Sequence, residues 1–138
     1  MGGGDHSIHS MDIQGFHHVA IQVRDVEGVT AFYRDVLGFP ERVRHRRPDG
    51  SLRSIWVDVP GGGFLALEEV GGEPEATPFR HERPGLLLLA FRIPKGARAR
   101  AVEALARAGV ALEHETRWTV YVRDPEGNRV ALSHHPED

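Results

Sequence analysis

The sequence predicts an α+β fold built from two βαβββ modules, and three features of the chain indicate this duplication. Alternating apolar residues mark the opening strand of each half, and the two sets stand at one fixed spacing. A glycine follows the helix expected in each half, where a left-handed backbone can end a helix. The last strand of each half also carries a similar short apolar segment. The paired opening-strand positions are Val19 with Leu89, Ile21 with Phe91, and Val23 with Ile93.

The first module is expected over residues 16–70. Asp25 can cap its helix, because a carboxylate accepts hydrogen bonds from the free amides of a first helical turn. Apolar residues at helical spacing predict that helix over 26–37, before Gly38. Turn residues then separate three further strands, expected over 41–47, 52–59 and 64–70.

The second module is expected over residues 86–135, after a linker at 71–85 that contains Pro and Gly. We interpret residues 1–12 as a flexible tail and residues 13–138 as a single domain. The elements predicted for the second module are a strand at 86–93, a helix at 96–108, and strands at 110–116, 118–123 and 129–134.

Composition argues against several classes of function. The formal charge of −3 makes a phosphate backbone an improbable main partner. The chain has no cysteine, and therefore no disulfide, thiolate metal site or cysteine nucleophile. Its longest apolar run, Leu86–Phe91, is far shorter than the ~20 residues that cross a bilayer. The first ten residues do not resemble a signal peptide, so we expect a cytoplasmic protein with neither nucleic acid nor membrane as a partner.

Three stretches together identify a family resemblance: FHHVAIQVRD at 16–25, TAFYRDVLGF at 30–39 and VYVRDPEGNRVAL at 120–132. They resemble the glyoxalase/bleomycin-resistance/extradiol-dioxygenase superfamily, also called vicinal oxygen chelate. The resemblance implies two βαβββ modules whose strands form a curved mixed sheet around a cup, with the helices on the outside. It also implies a homodimer.

Catalytic members of that superfamily usually hold a divalent metal with His, Gln or Glu on the first strand and Glu on the last strand of each module. The resemblance carries these roles to four positions here. His18 is compatible with a metal ligand, whereas Ala66, Leu88 and Ala131 have no lone pair to offer a cation. Because protein sites usually supply about three or four ligands, we predict that the chain lacks a complete metal centre and has no cofactor.

Other side chains could replace the missing ligands. Strand alternation puts Glu68 and His135 on the faces of two vacant ligand positions, Ala66 and Ala131, but further along each strand. Such displaced ligands would make the protein a metal-dependent lyase, epimerase or dioxygenase, which is the alternative function. The adjacent His17 and His18 are predicted to point to opposite faces of a strand and therefore not to chelate one metal.

The sheet face opposite the helices is expected to bind a small molecule, because it is mainly apolar with a few polar groups. Arg92 is its most informative member, since a charged residue in the middle of a strand needs a partner. That partner is either Glu68 or an anionic ligand. The leading hypothesis is therefore a small-molecule-binding protein for which no catalytic residue is assigned. The expected ligand-binding residues are His18, Gln22, Ala66, Glu68, Leu88, Arg92, Ala131 and Ser133.

Overall fold

The computed structural model describes residues 11–71 and 84–138, so most of the expected tail and linker lie outside the described residues. Within these ranges the chain forms two four-stranded sheets and two helices, in the order β-α-β-β-β twice. This arrangement confirms the predicted fold class. None of the helices in the described ranges has the length and apolar character needed to cross a membrane. The cytoplasmic location stays a prediction.

Module one forms sheet one from β1 (His18–Val23), β2 (Glu41–Arg46), β3 (Leu52–Asp58) and β4 (Phe64–Glu69). The strand order is β1-β4-β3-β2, with β1 parallel to β4 and the other pairs antiparallel. Alternation in β1 matches the expected pattern. Ile21 and Val23 are buried, whereas Ala20 and Gln22 are exposed, so one face of the sheet packs on the core and the other lies open.

The helix of module one is capped as predicted, because Oδ1 of Asp25 accepts from the amide of Gly28 at 3.1 Å. The helix α1 spans Val26–Ala31 and continues as a π-helical turn over Phe32–Val36. This turn differs from the regular helix expected over 26–37. Gly38 follows with a φ of +86°, a left-handed conformation that glycine adopts at no steric cost, and the helix ends there.

Module two forms sheet two from β5 (Leu89–Arg92), β6 (His114–Glu115), β7 (Thr119–Arg123) and β8 (Arg129–Ser133). The order β5-β8-β7-β6 repeats that of sheet one, again with one parallel pair, β5 and β8. A 3₁₀ turn over Lys95–Ala97 leads into the helix α2, Arg98–Arg107. The repeat predicted from the opening strands therefore extends to the topology of the whole module.

Two strands of module two are shorter than expected. β5 begins only at Leu89, which pairs with Val130 in the parallel register. Leu88 therefore precedes the strand instead of lying within it. The strand expected at 110–116 shrinks to β6, because the amide of Val110 donates to the carbonyl of Leu105 at 2.9 Å and closes α2.

The two modules touch through residues on the helix side of the sheets. The Tyr33 hydroxyl donates to Oδ2 of Asp124 at 2.8 Å, and both residues are buried. The carboxylate of Glu126 accepts hydrogen bonds from the two backbone amides between β1 and α1. The rings of Phe39 and Phe91 meet edge to face, with centroids 4.9 Å apart. These contacts position one module against the other.

Asp124 also organises the β7–β8 turn. Its Oδ1 accepts from the backbone amides of Glu126 and Asn128, and its Oδ2 accepts from the side-chain amide of Asn128. Burial, and then the charge of Asp124, raise the pKa of Tyr33 far above its ordinary value. The phenol consequently keeps its proton and remains a donor, so one carboxylate ties the turn of module two to the helix of module one.

Candidate ligand-binding site

Sheet one presents an open face on the side away from its core. Cross-strand register places Gln22 beside Glu68, Glu68 beside Ser54, and Ser54 beside His45 in one row across the sheet. Directly paired residues share a face, so this row extends from the edge at β1 to the edge at β2. The open face of sheet one comprises His18, Ala20, Gln22, His45, Ser54, Trp56, Phe64, Ala66 and Glu68.

Stacked rings cover one half of this face. The imidazole of His18 lies parallel to the ring of Phe64, with centroids 4.7 Å apart and an interplanar angle of 6°. Phe64 stacks in turn on Trp56 at 4.4 Å, and His45 meets Trp56 edge-on at 4.6 Å. The guanidinium of Arg42 lies 4.7 Å from the Phe64 centroid. Because His18 is the exposed member, the stack presents an aromatic surface to solvent.

Three polar atoms of the same face are buried and have no hydrogen-bond partner among residues 11–71 and 84–138. They are Oγ of Ser54, Nε2 of His45 and Nε1 of Trp56. Nearly all buried polar atoms in proteins are hydrogen-bonded, so three unpaired ones in adjacent positions mark a place where a partner is missing. Sequence reasoning missed these residues as a group. Ser54 and Trp56 share a face through alternation along one predicted strand, but only the β2–β3 register brings His45 to them.

Sheet two has a corresponding open face, formed by Ala90, Arg92, Tyr121, Arg129, Ala131 and Ser133. Oγ of Ser133 lies 2.8 Å from the hydroxyl of Thr119, so its polar group is already engaged. A small cavity of about 190 Å³ is lined by Ala90, Arg92 and Ser133, together with Phe91 and His135. Arg92 is exposed, and it makes no hydrogen bond or ion pair with any residue that the structure describes.

Two other arginines of sheet two are bound to protein groups. Glu113 accepts from Arg123 at 2.6 Å and from Arg129 at 2.9 Å, and Arg129 also lies over the ring of Tyr121. Burial acts to raise the pKa of Glu113, but the hydrogen bonds from the two arginines outweigh it and the pKa is lowered. Glu113 therefore remains ionised and pairs with both guanidinium groups, which leaves Arg92 as the better candidate to meet an anion.

The structure brings some of the predicted site residues together. His18, Gln22, Ala66 and Glu68 all lie on the open face of sheet one, where Gln22 and Glu68 are direct neighbours. The other four belong to module two. Arg92, Ala131 and Ser133 lie on the open face of sheet two, and Leu88 precedes β5. Neither the pairing of Arg92 with Glu68 nor a cavity shared by the two sets is seen in the described ranges, so the common cup stays a prediction.

The residues at the superfamily's ligand positions do not fit a divalent metal. Among residues 11–71 and 84–138, no three His, Asp or Glu side chains come close enough to hold an ion together. The ring of His135, one possible substitute, instead lies edge-on against Trp118 at 4.7 Å. His18 alone offers too few ligands, since structural and catalytic sites usually supply about three or four.

The prediction that His17 and His18 point apart was wrong. Their Nδ1 atoms lie 2.9 Å from each other, and their rings meet edge to face. The physical reason is that β1 begins at His18, so His17 precedes the strand and does not follow its alternation. The pair adds a second imidazole nitrogen beside the aromatic stack, which is still short of a complete set of metal ligands.

Comparison with known proteins supports the fold and the family. An uncharacterized protein of Pseudomonas aeruginosa, PA2024, is 30% identical over 122 residues, which are 85% of this chain and 86% of that protein. A crystal structure of a glyoxylase/bleomycin resistance protein/dioxygenase domain from Frankia sp. EAN1pec shares 27% identity, with a TM-score of 0.72 over 89% of this chain and 98% of the other. A glyoxalase/dioxygenase from Nostoc punctiforme has the same TM-score at 24% identity, over 91% of this chain and 94% of its own.

The profile of one family spans almost all of both modules, from residue 15 to residue 132. This range contains the open face of sheet one, the open face of sheet two except Ser133, and all three stretches that carry the resemblance. The chain therefore belongs to the Glyoxalase/Bleomycin resistance protein/Dioxygenase superfamily.

Proposed function

We propose that this protein binds a planar small molecule on the open face of sheet one, without the divalent metal of its catalytic relatives. The observation that carries the proposal is the combination of stacked rings and three unpaired buried polar atoms on one face. Leaving a buried polar atom unpaired costs about 1–3 kcal/mol. A ligand reaches these atoms only by displacing the groups that cover them; pairing with them then removes that cost, while the ring of the ligand gains contact with the aromatic surface.

The polar atoms restrict the chemistry of the ligand. Nε1 of Trp56 can only donate a hydrogen bond, whereas Oγ of Ser54 can donate or accept. The ligand should therefore carry an acceptor, such as a carbonyl, hydroxyl or nitro oxygen, on an aromatic ring. Glu68 and Gln22 lie in the same row as Ser54 and supply further polar contacts at the edge of the aromatic surface.

The competing function is a metal-dependent lyase, epimerase or dioxygenase with displaced ligands. The feature in its favour is the His17–His18 pair, which places two imidazole nitrogens side by side. We expect protein incubated with Mn(II), Ni(II) or Zn(II) and then desalted to retain far less than one metal ion per chain, because too few ligands converge. Stoichiometric metal in the wild type that is lost in His18→Ala would favour the enzyme instead.

The two tryptophans of the chain allow a direct test of the site. Trp56 lies on the open face of sheet one, whereas Trp118 belongs to module two and donates to Asp138. A neutral nitroaromatic probe, 4-nitrobenzyl alcohol, should quench the fluorescence of the wild type and of Trp118→Phe. The same titration of Trp56→Phe should show little saturable quenching. Equal saturable quenching in both variants would contradict the proposed position of the ligand.

His18→Ala tests how much the exposed ring of the stack contributes to the affinity for the probe. The variant removes the exposed ring of the stack, so binding of the same probe should weaken while the circular dichroism spectrum stays unchanged.

A second copy of the chain completes the cup in this proposal. The contacts between modules lie on the helix side and leave Ala20, Gln22 and Arg92 exposed on the two open faces. In the described ranges, β1 and β5 are also edge strands, and two-fold dimers are the commonest protein assembly. Light scattering should therefore give twice the chain mass of 15.3 kDa. The mass of a single chain at micromolar concentration would contradict the dimer.

A further inference from the structure

A second concave site lies between the modules, away from the aromatic stack of sheet one. It is a groove of about 540 Å³, bounded by the end of the π-helical turn, by β5 and by α2. We call it the inter-module groove. Its apolar wall includes Leu37, Phe39, Phe91, Ile93 and Ala104. This volume and composition are typical of a pocket for a small organic molecule, since such pockets usually measure about 300–1,000 Å³ and are mostly apolar.

Two charged residues line the inter-module groove among the residues that the structure describes, and both are arginines, Arg92 and Arg100. Neither guanidinium has a hydrogen-bond or ion-pair partner within residues 11–71 and 84–138. Other arginines of α2 behave differently. Arg98 pairs with Glu115 at 2.9 Å, and Arg107 pairs with Glu103 at 3.4 Å. Among the arginines of α2, the one that lines the groove is thus the one without an ion-pair partner in the described part of the chain.

We propose that the inter-module groove binds an elongated apolar carboxylic acid. The hydrocarbon chain lies along the apolar wall, where burial of each methylene favours binding. The carboxylate pairs with the guanidinium of Arg100, which matches a carboxylate in shape and in hydrogen-bond direction, and Arg92 adds positive charge where the groove meets the open face of sheet two. This site is distinct from the aromatic stack of sheet one, because Arg100 and Ala104 belong to α2 and lie on neither open face, although Ala90 and Arg92 belong to both the groove and the open face of sheet two.

Decanoate is a suitable probe, with decanol as the neutral analogue of the same length. Isothermal titration should show saturable binding of decanoate and much weaker binding of decanol. Arg100→Gln should weaken decanoate binding by about tenfold or more, as expected for the loss of a charge-assisted hydrogen bond. Arg53→Gln is the matched control, because Arg53 is also exposed, lacks a partner in the described ranges and lies outside the groove.

A second variant tests the volume of the groove. Ala104→Phe places a ring in the cavity and should abolish decanoate binding, whereas Trp56→Phe should leave it unchanged because Trp56 belongs to the other site. Circular dichroism of each variant verifies the fold. Because Arg100 is exposed, Arg100→Gln should fold and still tests the proposal if Ala104→Phe does not fold. Decanoate binding that is equal in Arg100→Gln and wild type would overturn the proposal. Dissociation of a dimer by the Ala104→Phe substitution would also overturn the proposal, because the groove would then be an interface between copies of the chain.

Discussion

Asp124→Ala should lower the free energy of unfolding by about 2–4 kcal/mol, because a hydrogen bond to a charged group contributes about 1.5–3 kcal/mol and water can replace only part of the several that are lost. The carboxylate accepts from Tyr33 of module one and from two amides and one side chain of its own turn. Removal of the carboxylate leaves the buried hydroxyl of Tyr33 without an acceptor. Urea unfolding followed by circular dichroism measures this loss, and Tyr33→Phe should reproduce part of it.

Asp49→Ala is the matched control for that measurement. Asp49 also organises a turn, since its Oδ1 accepts from the amide and the hydroxyl of Ser51, but it is exposed. Water can replace these hydrogen bonds, so the expected loss is below about 1 kcal/mol. If Asp49→Ala and Asp124→Ala destabilised the protein equally, the link between the modules through Asp124 would not be a principal source of stability.

Phe39→Ala should be still more destabilising, by about 3–5 kcal/mol, which is the usual cost of truncating a buried phenylalanine. The side chain is only 6% exposed and packs against Phe91 of the other module and Tyr33 of its own. Its removal opens a cavity at the junction of the modules and forfeits these ring contacts. The midpoint of urea unfolding should fall accordingly, with both modules unfolding in one transition.

Phe16→Ala is the control for Phe39→Ala, because it makes the same chemical change at a side chain that is 87% exposed. Exposed substitutions usually change stability by about 0.5 kcal/mol or less. Two separate unfolding transitions in Phe39→Ala would show that the modules fold independently once this contact is gone. A midpoint equal to that of Phe16→Ala would contradict the assigned role of Phe39 in the junction.

Local sequence signals were sufficient to predict most of the fold. Asp25 precedes an apolar helical pattern and caps the helix as expected, and Gly38 ends it with a positive φ. The cap and the helix end each depend on interactions among a few neighbouring residues, so the local sequence is enough to predict them. The predictions failed at two boundaries that depend on which backbone hydrogen bonds form. Val110 closes α2 instead of joining a strand, and β5 begins only at Leu89, opposite Val130 of β8.

The candidate site was only partly predictable. His18, Gln22, Ala66 and Glu68 share a face because alternation along two strands is a local property. The grouping of His45, Ser54 and Trp56 depends on which residues of β2 and β3 stand opposite each other. Register of this kind is specified by packing across the sheet and by bulges, and the β2–β3 pair contains two such irregularities.

The sequence by itself determined the duplicated βαβββ architecture, the family, and the absence of ligating side chains at three of the four positions to which the resemblance assigns metal ligands. Those properties depend on residue type and spacing, which can be read directly from the sequence. Only the tertiary structure decided that Asp124 joins the two modules, that His17 contacts His18, and that Arg100 and Phe39 line one groove. Each of these pairs is distant in the sequence or lies where a strand begins, so it is determined by how the helices and sheets pack rather than by any local pattern.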